Sequence, residues 1–316
     1  MIDRGMIKKE DWLGMGAGSP DQAKVCMMGI PYDGGSLLGN GAVEAPRKIR
    51  DLARRFMPEG TDSWCPIEKN DLYDFGDLIV DETYAATYVN AENAGYKVMQ
   101  QGKLSVFVGG DHSMTIPLHK AYAKYQREKD PDAKIGIIHF DAHLDLAESF
   151  EGRHWSHSST ARHALNDVIK PEDLFFVGVR AAEKEELEML KENPEIGMIS
   201  AMQIFTKGYP NAFKEIAMRY RKYDSIYLTI DIDVLDPASP PGTGTPSPGG
   251  ITTQGLIYLV EKIMEMLPVH AMDIMEISPP LDINDITSWA GMRLLQEAIA
   301  STKEPVYTDG KKVQGK

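Results

Sequence analysis

The sequence predicts an α/β protein in which a mainly parallel sheet of about eight strands is covered by helices on both faces. Two observations support this prediction. Short apolar runs of strand length alternate with longer helix-forming segments along the chain, without an internal repeat or a linker. Several of these runs are followed by histidine or aspartate, and open α/β sheets bind ligands at the carboxyl ends of their strands. We therefore expect a single domain spanning residues 1–316.

The predicted strands are apolar segments that are too short for helices and are bounded by glycine, proline or charged residues. Pro131, for example, precedes the apolar run 135–138, and charged residues follow it. The segment 72–75 is predicted to be a short strand at the sheet edge. The eight predicted strands are 25–30, 72–75, 104–107, 135–138, 174–179, 196–199, 225–229 and 271–275.

The predicted helices begin and end at residues suited to those positions. Pro46 lies in the first turn of a helix that starts at Ala45, where proline is tolerated, and Gly102 ends a helix that begins at residue 84. Ser158 or Ser159 is expected to cap a further helix. The polar terminal segments 1–22 and 303–316 are expected to form a surface arm and a disordered tail. The remaining predicted helices are 114–128, 183–191, a segment within 211–222, 253–266 and 286–302.

Composition excludes several classes of protein. Hydrophobic residues make up 42% of the 316 residues, enough for a sizeable core, and the formal net charge of −13 disfavours nucleic acid and anionic membranes as partners. No apolar run approaches the roughly 18 residues of a membrane helix, and the N-terminus lacks the apolar core of a signal peptide. With only two cysteines, Cys26 and Cys65, no disulfide framework is expected, so the predicted location is a reducing cytoplasm.

The segment His-Phe-Asp-Ala-His-Leu-Asp at 139–145 follows the predicted strand 135–138 and carries side chains of metal-ligand type. Asp141, His143 and Asp145 occupy alternate positions, and alternate side chains of an extended backbone point the same way. Two carboxylates and an imidazole that converge at a strand end suit a divalent cation. If this were the only such segment in the chain, a polar loop with capping aspartates would explain it as well as a metal site does.

Two further strand ends argue against that simpler explanation. Asp231 and Asp233 follow the strand 225–229, and Asp236 is near enough in sequence to support them. After the strand 104–107, the sequence Gly-Gly-Asp-His-Ser at 109–113 allows a tight turn and presents His112 at the same edge of the sheet. The six candidate metal ligands are His112, Asp141, His143, Asp145, Asp231 and Asp233.

The number and type of these ligands indicate two metal ions. Six protein ligands are too many for one hydrolytic metal that must keep an open position, but they fit two ions if some carboxylates bridge. Two ions roughly 3.5–4 Å apart can share a water and bring its pKa near neutrality. Oxygen-rich ligation with two imidazoles and no thiolate favours Mn²⁺ over zinc or copper, although ligand types alone leave Ni²⁺ and other divalent ions open.

Five motifs resemble those of the ureohydrolase family, which comprises arginases, agmatinases and related guanidino-group hydrolases. They occur in the family's order and spacing, and the resemblance extends from Val25 to the helix after Ile286. It implies a three-layer α/β/α architecture. The motifs are Gly-Gly-Asp-His-Ser at 109–113, Asp-Ala-His-Leu-Asp at 141–145, Asp-Ile-Asp-Val-Leu-Asp-Pro at 231–237, Gly-Thr-Gly-Thr-Pro at 242–246 and Met-Glu-Ile-Ser-Pro at 275–279.

The resemblance also implies roles for these residues. Glu276 would hold the guanidinium of a small cationic substrate in a bidentate pair, and Asp145 would handle the proton released by the nucleophilic water. The products would be urea and an amine, and the expected assembly is a homotrimer or homohexamer. One ion would be held by His112 and Asp145, the other by His143 and Asp233, and the bridging ligands would be Asp141 and Asp231.

The histidines outside the ligand set differ in their expected roles. His157 matches the family's loop histidine, a candidate proton shuttle to the leaving amine, and His154 could compete with it. Ser158 stands where glycine is usual, which departs from the commonest family pattern, but Ser156-His157 followed by a small residue resembles archaeal-type agmatinases. His139 is expected to support the metal ligands. Structural roles are expected for His119, His163 and His270, and positions around the pocket for Thr243, Thr245 and the glycine-rich loop 32–41.

One position bears on the substrate. Arginases recognise the α-carboxylate partly through an asparagine two residues after the aspartate that matches Asp145, and this position is Ala147 here. Agmatine is therefore the first expectation, with guanidinobutyrate, guanidine and arginine as alternatives, and an inactive partner subunit as a further one. Nearby carboxylates that would attract agmatine's amine are Glu148, Glu151, Glu183 and Glu185.

Overall fold

The computed structural model describes residues 16–36, 41–55, 65–68 and 70–302, together with the backbone of three short strands at 6–7, 307–308 and 311–312. Expectations for the rest of the N-terminal arm, for the part of the glycine-rich loop at 37–40 and for most of the tail lie outside the described residues. No helix in the described ranges is both long enough and apolar enough to cross a membrane.

Nine of the described strands form one sheet. Their bounds are β1 Met6–Ile7, β2 Val25–Gly29, β3 Leu72–Leu78, β4 Leu104–Val108, β5 Ile135–Phe140, β6 Leu174–Val177, β7 Gly197–Ile199, β8 Ser225–Asp231 and β9 Val269–Met275. The strand order is β1-β3-β2-β4-β9-β8-β5-β6-β7. All neighbouring pairs are parallel except β1 with β3, so the predicted, mainly parallel sheet is confirmed. A separate antiparallel pair is formed by β10 Tyr307–Thr308 and β11 Lys311–Lys312.

The helices cover both faces of this sheet. In the described part of the chain they are α1 Ala45–Ala53, α2 Tyr84–Met99, α3 Thr115–Lys129, α4 Thr160–Asp167, α5 Lys184–Glu192, α6 Ala201–Lys207, α7 Tyr209–Tyr220, α8 Thr253–Met266 and α9 Ile286–Ala300. One buried apolar cluster joins α1, α6, α7, α8 and α9 to one face, and a second joins α2, α3, α4 and α5 to the other. This is the predicted three-layer α/β/α architecture.

Burial on both faces explains the composition of the central strands. Every residue of β5 and β8 is buried, because helices lie above and below them, and such strands read as continuous apolar runs. The last strand of the sheet in sequence, β9, lies between β4 and β8 and joins the two halves of the sheet. It therefore occupies the centre of the molecule.

Two details differ from the predictions. The strand predicted as an edge, 72–75, extends over Leu72–Leu78, and the short strand β1 pairs antiparallel on its outer side. In addition, α6 was not among the predicted helices. Ser200 caps this helix in a reciprocal arrangement with Gln203, a Ser-x-x-Gln pattern that the sequence does display.

Candidate metal centre

Four neighbouring strands bring the candidate ligands to one edge of the sheet. His112 begins a short 3-10 turn after β4, and Glu276 directly follows β9. Asp231 is the last residue of β8, and Asp233 lies in the 3-10 turn that follows it. The segment 141–145 follows β5. Because β4, β9, β8 and β5 are parallel neighbours, their carboxyl ends meet, and the predicted residues come together.

The first half of the cluster surrounds the imidazole of His112. Its Nδ1 atom lies 3.1 Å from Oδ2 of Asp141 and 3.1 Å from Oδ2 of Asp145. Oδ2 of Asp231 lies 3.4 Å from the same nitrogen. The Nε2 atom of His139 approaches Oδ2 of Asp141 to 3.0 Å. One ligand atom from each of His112, His139, Asp141 and Asp145 lies within 4.8 Å of the others, which is close enough for these atoms to share a metal ion.

The second half of the cluster surrounds His143. Its Nδ1 atom lies 3.3 Å from Oδ1 of Asp141 and 3.0 Å from Oδ2 of Asp233. Asp141 thus belongs to both halves, with Oδ2 towards His112 and Oδ1 towards His143. A carboxylate in this position can bridge two ions, which is the role that the family resemblance implied for it.

Two atoms of the cluster require a partner that the protein does not supply. His112 Nδ1 and Asp145 Oδ2 are buried, and although they lie 3.1 Å apart, neither makes a hydrogen bond of good geometry. Buried polar atoms of this kind normally have partners, so a ligand that accepts electron pairs would satisfy both at once. The oxygen-rich donor set with two imidazoles therefore fits a pair of divalent metal ions.

The charges of the buried carboxylates lead to the same conclusion. Burial, followed by the charge of Asp141, raises the pKa of Asp145 to about 7. Burial and the neighbouring Asp233 raise the pKa of Asp231 well above its ordinary value. Burial would raise the pKa of Asp141 as well, but the imidazoles of His112, His139 and His143, which lie beside its two oxygens, hold that pKa well below the usual range. A divalent cation would relieve this repulsion among the aspartates.

The backbone is strained at two of the predicted site residues. Asp145 has a φ of 52° and Glu276 a φ of 63°, in the left-handed region that residues with a side chain rarely occupy. Glu276 is nevertheless buried, and its Oε1 accepts a 2.8 Å hydrogen bond from the backbone N–H of His112. Strain of this kind is found where the surrounding structure fixes a functional side chain.

His157 lies beside Glu276, whereas His154 lies outside the site. The Nδ1 atom of His157 is 3.7 Å from Oε1 of Glu276, and its ring packs edge-on against Phe150 at a centroid distance of 5.8 Å. Burial alone would lower the pKa of His157, but the Glu276 carboxylate raises it to about 9. His154 is exposed, and its Nδ1 atom lies 3.3 Å from the carbonyl oxygen of Glu148.

A buried aspartate fixes the described part of the glycine-rich loop against the site. Oδ2 of Asp111 accepts hydrogen bonds from the N–H groups of Gly35 at 2.7 Å and Ser36 at 3.1 Å. Its Oδ1 accepts from Ser113. The carbonyl oxygen of Gly35 in turn accepts from the N–H of His157 at 3.4 Å. The loop therefore borders the site, as expected, and connects Asp111 to the backbone of His157.

The glycine- and proline-rich loop that follows β8 agrees only partly with expectation. Thr245 donates a hydrogen bond to Oδ2 of Asp233 at 3.1 Å, and Thr243 is buried with its hydroxyl lacking a hydrogen bond. Asp236 differs from its expected supporting role. Its carboxylate accepts hydrogen bonds from backbone N–H groups within 237–250, so it shapes that loop instead of the ligand pair.

Three histidines lie outside the cluster, where sequence analysis expected structural roles. His119 packs edge-on against Tyr227 with ring centroids 4.6 Å apart. His163 bonds through Nε2 to a backbone carbonyl at 2.9 Å, and Nδ1 of His270 lies 3.0 Å from the hydroxyl of Ser225. Each ring is thus used in packing or in local hydrogen bonding.

Two buried residues next to the cluster, Thr229 and Asp273, were not among the predicted site residues. The hydroxyl of Thr229 lies 2.8 Å from Nε2 of His112, and it donates to Oδ1 of Asp273 at 2.6 Å. The available signal was a lone charged residue inside the apolar run 271–275, which is unusual for a strand buried on both faces.

The segment after Asp145 carries the position considered for substrate recognition. Ala147 is half-buried, and its backbone N–H donates to the carbonyl oxygen of Ser158 at 3.1 Å. The nearby carboxylates expected to attract a cation are all exposed; they are Glu148, Glu151, Glu183 and Glu185.

The fold and the cluster together define a class of protein. A three-layer α/β/α architecture carries aspartates and histidines, with donor atoms spaced for two metal ions, at the carboxyl edge of its parallel strands. This is the arrangement of a metal-dependent enzyme whose site lies where open α/β sheets bind their ligands.

Comparisons with known proteins identify the family. The model of the arginase family matches residues 23–301 of the chain. An agmatinase from Bacillus anthracis is 32% identical over 286 residues, covering 88% of this chain and 92% of that protein. A guanidinobutyrase from Pseudomonas aeruginosa is 28% identical over 284 residues, covering 88% of this chain and 86% of that protein. The crystal structure of the agmatine ureohydrolase of Thermoplasma volcanium matches with a TM-score of 0.83 at 27% identity, covering 94% of this chain and 96% of that chain.

The chain belongs to the arginase family, and it is an amidinohydrolase with a histidine–aspartate metal site. The resemblance drawn from five sequence motifs is thereby confirmed, including the similarity to agmatinases.

Proposed function

We propose that this protein hydrolyses agmatine to putrescine and urea with two Mn²⁺ ions bound by the cluster. The ions would be held by His112 and Asp145 on one side and by His143 and Asp233 on the other, with Asp141 and Asp231 as bridges. The proposal includes a single domain that acts in the cytoplasm as a homotrimer or homohexamer.

The chain's own groups have distinct tasks in this reaction. The Glu276 carboxylate orients the guanidinium, because it is buried at the strand end and already points towards His157. When bound, the two ions supply an activated water as nucleophile. Asp145 accepts the proton that this water releases. His157 donates one proton to the amine nitrogen as its bond to the central carbon breaks. The amine takes a second proton from the hydroxyl that becomes the urea carbonyl, so urea and a protonated amine leave, and Asp145 then returns its proton to His157.

The observation that carries the choice of agmatine is the environment of Ala147. Its methyl group cannot form a hydrogen bond, and its N–H already donates to Ser158. A substrate carboxylate at this position would therefore lose hydration without gaining a partner, which costs roughly 1–3 kcal/mol or more. Since a tenfold difference in efficiency requires only about 1.4 kcal/mol, we predict at least a tenfold preference for agmatine over arginine.

Urea release measured with agmatine, arginine, guanidinobutyrate and guanidine tests this prediction. The Ala147→Asn variant should shift kcat/KM towards arginine, because the amide restores a hydrogen bond. Ala147→Leu, which is similar in size to asparagine but apolar, serves as the control and should not. Equal or better efficiency of the wild-type enzyme on arginine would contradict the argument from Ala147.

A guanidino acid such as guanidinobutyrate is the second candidate, and Arg153 is the observation that favours it. Arg153 is exposed on the loop that carries His157, and its Nη1 donates to the carbonyl oxygen of Gly34 at 2.8 Å. A guanidinium here could pair with a substrate carboxylate. If guanidinobutyrate is the better substrate and Arg153→Gln removes that preference, the assignment of agmatine as substrate is wrong. Hydrolysis of a guanidino group would remain the proposed reaction.

A further inference from the structure

A row of five residues crosses the centre of the sheet below the cluster. Phe107, Asp273, Thr229, His139 and Phe176 are register partners on β4, β9, β8, β5 and β6 in turn. All five are fully buried. Two aromatic rings therefore flank three polar side chains in a place where an unpaired charge would be costly.

The carboxylate of Asp273 is surrounded by hydroxyl groups. Its Oδ2 accepts hydrogen bonds from Thr115 and Tyr227, each at 2.8 Å, and its Oδ1 accepts from Thr229 at 2.6 Å. Burial raises the pKa of this carboxyl, while His112 and the hydroxyl donors act in the opposite direction. An ionised carboxylate can only accept, so each of the three hydroxyls must point its hydrogen at Asp273.

This arrangement determines what Thr229 can offer to His112. The single hydrogen of the threonine hydroxyl is used by Asp273, so its oxygen can only accept a hydrogen bond from Nε2 of His112, 2.8 Å away. In the neutral imidazole, which is the form that binds metal, Nε2 must then carry the one ring hydrogen. The other nitrogen, Nδ1, keeps its lone pair, and it is the atom that lies among Asp141, Asp145 and Asp231.

We propose that Asp273, acting through Thr229, is a positioning residue that holds His112 in the tautomer able to bind metal through Nδ1. The inference rests on the dinuclear centre of the proposed function and adds two residues to it. Partners of this kind, which orient a metal-ligating histidine through its second nitrogen, typically change metal affinity by roughly 10- to 100-fold.

This hydrogen-bond relay, from Asp273 through Thr229 to His112, should affect the binding of only one of the two ions. It reaches His112, which is fully buried, but not His143, whose side chain is 31% exposed on the other half of the cluster. Loss of the relay should therefore weaken the ion held by His112 and Asp145 and spare the ion held by His143 and Asp233. A general loss of structure would weaken both.

Two variants interrupt the relay in different ways. Thr229→Val keeps the branched shape but removes the acceptor for Nε2–H. In Asp273→Asn the amide can donate to Thr229, so the threonine hydroxyl can turn and donate to Nε2, which moves the histidine hydrogen to Nδ1. Titration of the full-length chain with Mn²⁺ against a competing chelator should show that the dissociation constant of one ion rises by roughly 10- to 100-fold and that of the other is unchanged.

The matched controls are Tyr227→Phe and Thr115→Val. Each removes one hydroxyl donor from the same carboxylate but leaves the contact between Asp273 and Thr229 intact. Both dissociation constants should stay at the wild-type values. Circular dichroism and thermal melting of every variant establish that it is folded, and Thr229→Val carries the test if Asp273→Asn does not fold.

The histidine tautomer provides a readout that is independent of metal binding and of activity. Nitrogen-15 spectra of metal-free protein labelled at histidine are recorded at a pH high enough to remove the second ring hydrogen, because, against the effect of burial, Asp141, Asp145 and Asp231 raise the pKa of His112. With the His112→Asn variant to assign the signal, they should show the remaining hydrogen of His112 on Nε2 in the wild type. In Asp273→Asn it should move to Nδ1. A hydrogen on Nδ1 of His112 in the wild-type protein would overturn the proposal. So would dissociation constants that, in both relay variants, are unchanged or rise equally for the two ions. Binding of a single ion by a fully active wild type would instead overturn the dinuclear centre, and the tautomer result would remain valid.

Discussion

His157 and His154 lie three residues apart, yet the structure gives them different surroundings. His157 is buried beside Glu276, which raises its pKa to about 9 and keeps it protonated near neutrality. His154 is exposed and contacts a backbone carbonyl. A proton donor must reach the leaving group, and of these two histidines His157 is the one that lies beside Glu276, so it is the candidate donor in the proposed reaction.

We predict that His157→Asn lowers turnover by roughly 10²- to 10⁴-fold, the range for loss of a general acid, without changing metal content. His154→Asn should retain most of the activity, because its ring lies outside the site. Steady-state kinetics and elemental analysis of both variants test this. If His154→Asn proves the more damaging of the two, the assignment of the proton donor is wrong.

At the scale of elements, the loop containing Gly35 packs closely against the residues that follow β4. This packing leaves no space for a side chain at position 35. A Cβ atom on Gly35 would lie 2.2 Å from the hydroxyl of Ser113 and 2.9 Å from Oδ1 of Asp111. The same loop residue contacts the backbone of His157. The close approach thus connects the loop, β4 and the candidate proton donor.

Gly35→Ala should therefore displace the loop, cost about 1–3 kcal/mol of stability and lower kcat/KM. Gly16→Ala is the control, since a Cβ there would meet only the carbonyl oxygen of Leu72 at 3.8 Å, an ordinary contact. Chemical denaturation and kinetics measure both effects. Wild-type stability and efficiency in Gly35→Ala would show that the loop does not position His157.

The elements also show how far the sequence could predict the site. The six candidate ligands and Glu276 lie at or shortly after the ends of apolar runs, so one rule about strand ends was enough to predict that they come together. The relay from Asp273 depends on the register between β8 and β9, which places it beside Thr229. Register and strand order are set by packing of distant segments, so local pattern alone did not reveal them. For the same reason, the outer position of β1 was missed.

At the scale of the whole molecule, the buried aspartates make stability depend on metal. Burial and mutual repulsion raise the pKa values of Asp145, Asp231 and Asp233, so the cluster is unfavourable without cations. Ions that bind only the folded chain stabilise it by mass action, by about 2.7 kcal/mol at a concentration 100 times Kd.

We predict that protein reconstituted with Mn²⁺ contains two ions per chain and that chelation lowers its Tm. Elemental analysis and thermal melting with and without added Mn²⁺ check these two results. Calcium, which is less suited to imidazole ligands, should restore Tm less well. Full activity with one ion per chain would contradict the dinuclear centre.

The central place of β9 has a consequence for how the chain acquires its shape during synthesis. This strand covers Val269–Met275 and is the last of the nine to leave the ribosome, yet it lies between β4 and β8. Until it emerges, the nascent chain can build only two half-sheets, each with an open inner edge able to pair with other chains. His112 belongs to one half and the ligating aspartates to the other. The ion proposed for His112 and Asp145 can therefore be bound only after β9 has emerged. A chain that stops before Val269 would expose two unpaired edges and could not assemble the whole site.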